Sequence, residues 1–140
     1  VSEEIRTPEM SMAASDISAK KEVRQSLLSL QRRMGENGGV VLEGRDVGTV
    51  IFPNAEAKFF LDASLEERGK RRYKELAAKG LDVTLEQTLE DVKKRDINDS
   101  SRDIAPLKMA ADSILVDSTN VGINEVVEKM IAVVQNKVDQ

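Results

Sequence analysis

The sequence predicts an α/β protein in which helices flank a parallel sheet. Short hydrophobic runs of strand length alternate along the chain with longer segments of helical period, and this alternation is typical of parallel α/β folds. A polar turn with two glycines follows the first run, at the position where such sheets bind ligands. The length of 140 residues, 40% of them hydrophobic and 33% charged, indicates one globular domain.

The N-terminal quarter of the chain is predicted to contain one helix. Residues 1–18 are polar and lack a sustained period, and Pro8 interrupts them, so no regular element is predicted there. A helix is predicted over 18–34, and the glycines within 35–39 end it. Its apolar positions recur with helical spacing at Val23, Leu27, Leu30 and Met34.

Three strands are predicted from hydrophobic runs. The first is a short buried strand over 40–42, which passes through the polar turn 43–46 and continues over 47–52. The second covers 57–61 and the third covers 114–116. All three runs have strand length and are followed by polar residues.

Two capping boxes mark the starts of helices between the second and third strands. Ser64 pairs with Glu67, and Thr84 pairs with Gln87, in the spacing that satisfies the first free amides of a helix. Gly80 is predicted to stop the first of these helices. The arm over 68–102 is helical, charged and poor in large apolar residues, which favours a mobile lid over a core element.

The last predicted helix has a wide apolar face. This face is predicted to pack against the core, because apolar residues at helical spacing usually do so. Its members are Ile123, Val126, Val127, Met130, Ile131 and Val134.

The residue types that are missing restrict the chemistry. Without Cys or His, the chain cannot form a disulfide, a Cys/His zinc site, a thiol nucleophile or a histidine-based serine triad. The remaining groups suit phosphate binding, where positioning and charge stabilisation dominate. The net charge of -4 argues against nucleic acid as a partner. Neither an apolar run of membrane-spanning length nor a leader is recognisable, which predicts no membrane partner and a cytoplasmic location.

The turn 44–49 is the first candidate site. Its two glycines let the backbone approach a ligand, and Arg45 and Asp46 place a guanidinium beside a carboxylate. A surface turn with a local Arg–Asp pair is the alternative. A phosphatase-like nucleophile at Asp46 is disfavoured, because no second Asp follows two residues later.

The second candidate site is Arg95, Asp99 and Arg102. Their spacing places all three on one face of a helix, where two guanidinium groups could bind a phosphate while the carboxylate orients one of them. An exposed salt-bridge ladder is the alternative. The basic stretch 68–74 is interpreted as a solvated helix face, since its one aromatic residue offers little for base stacking.

Taken in order, short motifs along nearly the whole chain resemble the bacterial cytidylate kinase family. The motifs are Glu4-Ile5-Arg6-Thr7, Ala13-Ala14-Ser15, Gly44-Arg45-Asp46-Val47-Gly48-Thr49-Val50-Ile51-Phe52-Pro53, Glu66-Glu67-Arg68, Lys94-Arg95-Asp96, Asp99-Ser100-Ser101-Arg102 and Ala105-Pro106-Leu107. The resemblance implies transfer of the ATP γ-phosphoryl group to CMP or dCMP, with magnesium, on a P-loop kinase fold. No G-x-x-x-x-G-K-[ST] occurs, and the chain begins at Val1. We therefore expect a truncated sheet from the C-terminal part of a longer protein.

The resemblance also implies roles for individual residues. The positions that read the cytosine base are matched by Ser15, Arg24 and Asp46. The amine of cytosine can donate a hydrogen bond to a carboxylate such as that of Asp46. Arg45 and Arg102 match positions that hold the acceptor phosphate, and Arg95 and Asp99 match sugar-contacting positions. Arg6 lies in a matching stretch near the acceptor site. Arg72 lies in the lid, from which arginines approach the transferring phosphates, and Arg72 and Arg102 are the expected catalytic residues. No metal ligand is expected in this chain.

The resemblance divides the chain into three parts. Residues 1–36 would end the nucleoside-monophosphate-binding region, 37–66 with 103–140 would form the core, and 67–102 would form the lid. The strand that normally separates the first two predicted strands is missing from this chain. We therefore expect those strands to pair directly or to associate with another copy. The chain alone is expected to be inactive, and a non-catalytic nucleotide-binding or interaction module is the alternative.

Overall fold

The computed structural model describes residues 4–138 and has the predicted α/β architecture. Its helices are α1 (Pro8–Ser18), α2 (Lys21–Met34), α3 (Leu65–Ala78), α4 (Leu85–Ser101) and α5 (Ile123–Val138), and its strands are β1 (Phe59–Asp62) and β2 (Ile114–Asp117). A 3-10 turn at Glu4–Arg6 precedes α1, and a π-helical turn at Val47–Ile51 lies between α2 and β1. No helix within 4–138 is both long and apolar enough to cross a bilayer.

The sheet consists of β1 and β2 in parallel. Phe59 is opposite Ile114, and Asp62 is opposite Asp117. Backbone hydrogen bonds extend the pairing at both ends, from Ile114 N to the Lys58 carbonyl at 2.9 Å and from Ser118 N to the Asp62 carbonyl at 2.8 Å. The second and third predicted strands are therefore confirmed, each within two residues of its predicted limits.

The helix α1 corrects the prediction for the N-terminal segment. Pro8 does not interrupt a structure there but begins one, because the first turn of a helix needs no amide from that residue. The Thr7 hydroxyl caps the turn by accepting a hydrogen bond from Met10 N at 3.2 Å. The helix predicted over 18–34 is present as α2, which begins at Lys21.

The first predicted strand is wrong. Residues 40–43 have no regular structure, Val41 is fully exposed, and the continuation over 47–51 is a π-helical turn. The expected direct pairing with β1 is also absent, because β1 pairs only with β2 within 4–138. A strand is stable only where a neighbour satisfies its backbone groups, and no described residue does so for 40–43.

The helix starts predicted at Ser64 and Thr84 are confirmed, but only Thr84 forms the complete capping box that was predicted for both. The Ser64 hydroxyl accepts from Glu67 N at 3.2 Å, and Thr84 and Gln87 form the reciprocal box. Gly80 follows α3 with a φ of 75°, a conformation that glycine adopts without strain. α3 and α4 pack on each other through a small interior where Leu76 and Thr88 are buried.

The apolar face of α5 is only partly in the core. Val126 is buried, and Met130 is half-buried. The prediction that the whole face packs inside is wrong for the other four members, which are exposed: Ile123, Val127, Ile131 and Val134. The physical reason is that two short strands offer too narrow a surface to cover a helix face of this width.

Candidate anion-binding site

Asp99 is the centre of the polar interior. Its side chain lies near the end of α4 and is 2% exposed. The Ser15 hydroxyl donates to its Oδ1 at 2.7 Å. Arg45 Nε lies 2.9 Å and Arg95 Nε 3.7 Å from Oδ2, and Arg102 Nη1 lies 3.7 Å from Oδ1. Three guanidinium groups therefore converge on one carboxylate.

The fold brings these groups together from three parts of the chain. Arg95 lies one helical turn before Asp99 on α4, and Arg102 follows just after that helix ends. Ser15 comes from α1, which packs on α4. A backbone hydrogen bond from Leu107 N to the Asp99 carbonyl at 2.6 Å folds the following loop back over the helix end.

A second ion pair, between Arg24 and Asp46, lies beside this centre. Arg24 Nη2 donates to Asp46 Oδ2, and both side chains are mostly buried. The Asp46 carbonyl accepts from Val50 N at 2.9 Å and from the Thr49 hydroxyl at 3.3 Å. The π-helical turn is therefore built on the Asp46 carbonyl, and the Asp46 carboxylate is held by Arg24.

Ser18 joins the two ion-pair groups. Its hydroxyl donates to the Ser15 carbonyl at 2.8 Å and accepts from Arg102 Nη1 at 3.0 Å. Its own carbonyl accepts from Arg24 Nη1 at 3.1 Å. A cleft of about 300 Å³ opens next to Arg24, and its wall includes Ala105. A smaller apolar groove of about 180 Å³ between β2 and α5 contains none of these arginines.

Positive charge is crowded at this site. Burial, and then the neighbouring Arg102, lower the pKa of Arg24. Burial, and then Arg45, lower the pKa of Arg95, while Asp99 partly offsets them. Burial and the neighbouring guanidinium groups both disfavour the charged form of these arginines, and a bound anion would favour it.

Two buried atoms of the site lack hydrogen bonds. Asp99 Oδ2 and Arg95 Nε have no hydrogen-bond partner in the described part of the chain. Arg45 Nε is close enough to Asp99 Oδ2 to count as an ion pair, but its N–H is not directed at that oxygen. The two side chains therefore attract each other as charges without forming a hydrogen bond, because orientation decides hydrogen-bond strength. A ligand hydroxyl could serve both atoms.

The structure places Arg6 and Arg72 at the edge of the site. The Arg6 side chain is exposed, and only its carbonyl takes part, accepting from Arg72 Nη2 at 3.0 Å. Arg72 also donates to Glu75 Oε2 at 2.8 Å and contributes to the lowered pKa of Arg95. Arg72 therefore approaches the cluster, whereas the Arg6 side chain is not brought into it.

The structure decides between the alternatives that the sequence left open. Arg45 and Asp46 do not form a local pair, since Arg45 contacts Asp99 and Asp46 contacts Arg24. An exposed salt-bridge ladder around Asp99 is excluded by the burial of that carboxylate. Sequence reasoning missed Ser18 as part of the site. Recognising Thr7-Pro8 as a helix start would have placed Ser15 and Ser18 one turn apart on α1.

The fold and the site define an α/β protein with a buried, arginine-rich site suited to a phosphate-bearing ligand. Residues 1–136 match the family model described as cytidylate kinase. The chain is 58% identical to a cytidylate kinase of Syntrophotalea carbinolica, over 98% of this chain and 58% of that protein. It is 55% identical to one of Geobacter sp. strain M21, over 100% of this chain and 60% of that protein. A cytidylate kinase 1 of Haemophilus influenzae is 49% identical, over 96% and 58% respectively.

The chain belongs to the cytidylate kinase family, as its sequence motifs indicated. It spans about three-fifths of the length of these curated relatives.

Proposed function

We propose that the protein containing this chain is a nucleoside-monophosphate kinase that transfers the ATP γ-phosphoryl group to CMP or dCMP, and that this chain supplies the acceptor site. The observation that carries the proposal is the continuous network from Arg24 and Asp46 through Ser18 to Arg102 and Asp99. This network supports the proposal because an ion pair suited to reading a base lies next to a cluster of guanidinium groups suited to binding a phosphate.

The base-reading role is assigned to Ser15, Arg24 and Asp46. Cytosine has an amine donor and two acceptors on its hydrogen-bonding edge. The Asp46 carboxylate accepts from the amine, while Arg24 donates to the ring nitrogen and carbonyl. The Ser15 hydroxyl donates its proton to Asp99, so its oxygen can only accept a hydrogen bond from the base, and the residue connects the base end of the site to the sugar and phosphate end.

The remaining roles follow from charge. Arg45 and Arg102 hold the acceptor phosphate with charge-assisted hydrogen bonds. Arg95 and Asp99 contact the sugar, and their two atoms without hydrogen bonds are suited to a sugar hydroxyl. Arg72, with Arg102, stabilises charge on the transferring phosphoryl group. Arg6 supports the site through its carbonyl bond to Arg72. In this proposal residues 1–36 form the end of the nucleoside-monophosphate-binding region. The lid covers 67–102, and the core consists of 37–66 and 103–140.

The residues of this chain are proposed to contact ATP only at the phosphoryl group being transferred, and they do not fit the rest of its phosphates or its magnesium ion. The sequence lacks a G-x-x-x-x-G-K-[ST] loop. Among the described residues no group of three metal-ligating side chains comes together, and both site carboxylates face arginines. We therefore expect the isolated chain to show negligible phosphoryl transfer in a coupled ATP-consumption assay. Ordinary kinase turnover by the chain alone would contradict this expectation.

Changing Asp46 tests the base-reading role. In the protein encoded by the full reading frame, Asp46→Asn keeps the shape, removes the negative charge and replaces one of the two acceptor oxygens with an amide donor that suits the uracil carbonyl. We expect the ratio of kcat/KM for CMP over UMP to fall roughly tenfold to a hundredfold, because a hydrogen bond to a charged group contributes about 1.5–3 kcal/mol. Asp16→Asn, at an exposed position on α1, is the matched control.

Assays of the full-length protein also distinguish a kinase from a non-catalytic nucleotide-binding module. An unchanged CMP preference in Asp46→Asn would remove the role assigned to Asp46. A full-length protein that binds CMP but transfers no phosphoryl group would favour a non-catalytic binding module over the kinase.

A further inference from the structure

The guanidinium of Arg102 is held on two sides. Its side chain is 6% exposed. Nε donates to the Ala105 carbonyl at 2.7 Å, and Nη1 donates to the Ser18 hydroxyl at 3.0 Å. Among residues 4–138, Nη2 has no hydrogen-bond partner and is the nitrogen left for a ligand. Two fixed bonds define the plane of a guanidinium group and hence the direction of its third nitrogen.

Ser18 lies where it can hold the guanidinium groups of both Arg24 and Arg102. It is the last residue of α1, where carbonyl groups lack partners within the helix and attract cationic side chains. The Ser18 carbonyl receives Arg24, and its hydroxyl receives Arg102. The hydroxyl proton is directed away from Arg102, toward the Ser15 carbonyl, so the oxygen presents a lone pair to the guanidinium.

The other side of Arg102 depends on an unusual backbone conformation. Ala105 has a φ of 49° and is the one non-glycine residue with positive φ among those described. Left-handed backbone is uncommon for alanine. The loop of Ala105 also carries the bond from Leu107 N to the Asp99 carbonyl. The backbone at this point turns its carbonyl toward Arg102.

We propose that Ser18 is a positioning residue that sets the orientation of Arg102 for the acceptor phosphate. This inference rests on the proposed function, in which Arg102 holds that phosphate. Ser18 does not contact the nucleotide. It fixes the angle at which Arg102 Nη2 meets a phosphate oxygen, and it does so from the helix end that also binds Arg24. Its contribution therefore applies to the phosphate-bearing ligand and not to the nucleoside.

The test compares CMP with cytidine, which lacks the phosphate. In the protein encoded by the full reading frame, we expect Ser18→Ala to weaken CMP binding roughly fivefold to tenfold in calorimetry. Cytidine binding should change less than about twofold. Ser18→Thr, which keeps the hydroxyl, should restore CMP binding. Ser26→Ala is the control, because Ser26 makes the same type of hydroxyl bond, to the Val23 carbonyl on α2, but accepts no hydrogen bond from an arginine of the described residues.

A double-mutant cycle tests whether Ser18 acts through Arg102. When Arg102 is changed to Ala, adding Ser18→Ala should have no further effect on CMP binding. Equal weakening of CMP and cytidine by Ser18→Ala would make Ser18 a structural residue and overturn the inference, while the proposed function would stand. An unchanged CMP affinity would overturn it as well. A wild-type protein that binds neither ligand would refute the proposed function itself.

Discussion

The interior around Asp99 and the sheet region contrast in how completely they are covered. Asp99 is 2% exposed although it carries a charge. On β2, by comparison, Leu115 is 57% exposed although it is apolar. Buried charges are usually rarer than buried leucines, so this chain reverses the ordinary arrangement. Its polar centre is better enclosed than its hydrophobic side.

The two regions differ in burial because only one of them finds its contact partners among the described residues. Asp99 receives its partners from α1, α4 and the turn before β1, all within this chain. The apolar residues of 40–42, β2 and α5 need facing sheet or helix surface, and the described residues supply little of it. The polar centre around Asp99 is therefore enclosed by residues of this chain, whereas much of the hydrophobic side is left uncovered by the described residues.

The largest expected effect comes from removing the charge at the polar centre. Asp99→Ala leaves three guanidinium groups facing each other and should lower the free energy of unfolding by about 3 kcal/mol. The loss falls at the lower end of the range for a broken buried ion pair, because Arg45 and Arg95 are about one-third exposed and can turn toward water. Urea denaturation followed by circular dichroism measures this change in the free energy of unfolding. Asp103→Ala is the control, because Asp103 is exposed.

If Asp99→Ala lowered the free energy of unfolding by well below about 1 kcal/mol, the contrast between the two regions would be contradicted. The polar centre around Asp99 would then contribute little to the stability of the fold.

Features determined within a few residues were predictable from the sequence. The hydroxyl caps at Ser64 and Thr84 are visible as sequence spacings, and the structure has both hydrogen bonds. Gly80 ends its helix for the same local reason. Thr7-Pro8 carried equally local information, and its interpretation as an interruption was wrong because proline is well tolerated in a first helical turn.

Features that depend on distant partners were not predictable. A hydrophobic run such as 40–42 has strand propensity, but propensity does not supply the neighbouring strand. The same limit applies to the burial of Asp99, since the i and i+4 spacing with Arg95 is equally compatible with an exposed pair. The resemblance to a family named Ser15, Arg95 and Asp99, which the structure brings together, but it did not show that Ser18 connects Arg24 with Arg102.

The second prediction sharpens the contrast within β2 itself. Val116 is 8% exposed, and its neighbour Leu115 lies on the opposite face of the strand. Val116→Ala should lower the free energy of unfolding by about 2 kcal/mol. Leu115→Ala removes more atoms but should cost less than about 1 kcal/mol, because much of that side chain is already in water. Thermal or urea unfolding of the two variants compares them directly, and a larger loss for Leu115→Ala would show that a partner covers this face in solution.

The smallest expected effect concerns an ion pair at the start of β1. The Lys58 ammonium is nearly buried and contacts the Pro53 carbonyl and Asp112 Oδ2, each at 2.6 Å. The hydrogen bond from Lys58 lowers the pKa of Asp112 from its ordinary value of 3.8. A carboxylate with a lowered pKa stabilises the folded state above its ordinary pKa, and that stabilisation is lost as the pH falls through the lower folded value.

Asp112→Asn should therefore be slightly less stable than the parent at pH 7, and the difference should disappear as the pH falls below about 4. Unfolding curves between pH 7 and pH 2.5 measure this, at constant ionic strength. In a Lys58→Met background the substitution should have no pH-dependent effect, because the donor that lowers the pKa is gone. A difference that persists at low pH would mean that the Asp112 side chain contributes through packing or backbone contacts, and that its charge is not what connects it to β1.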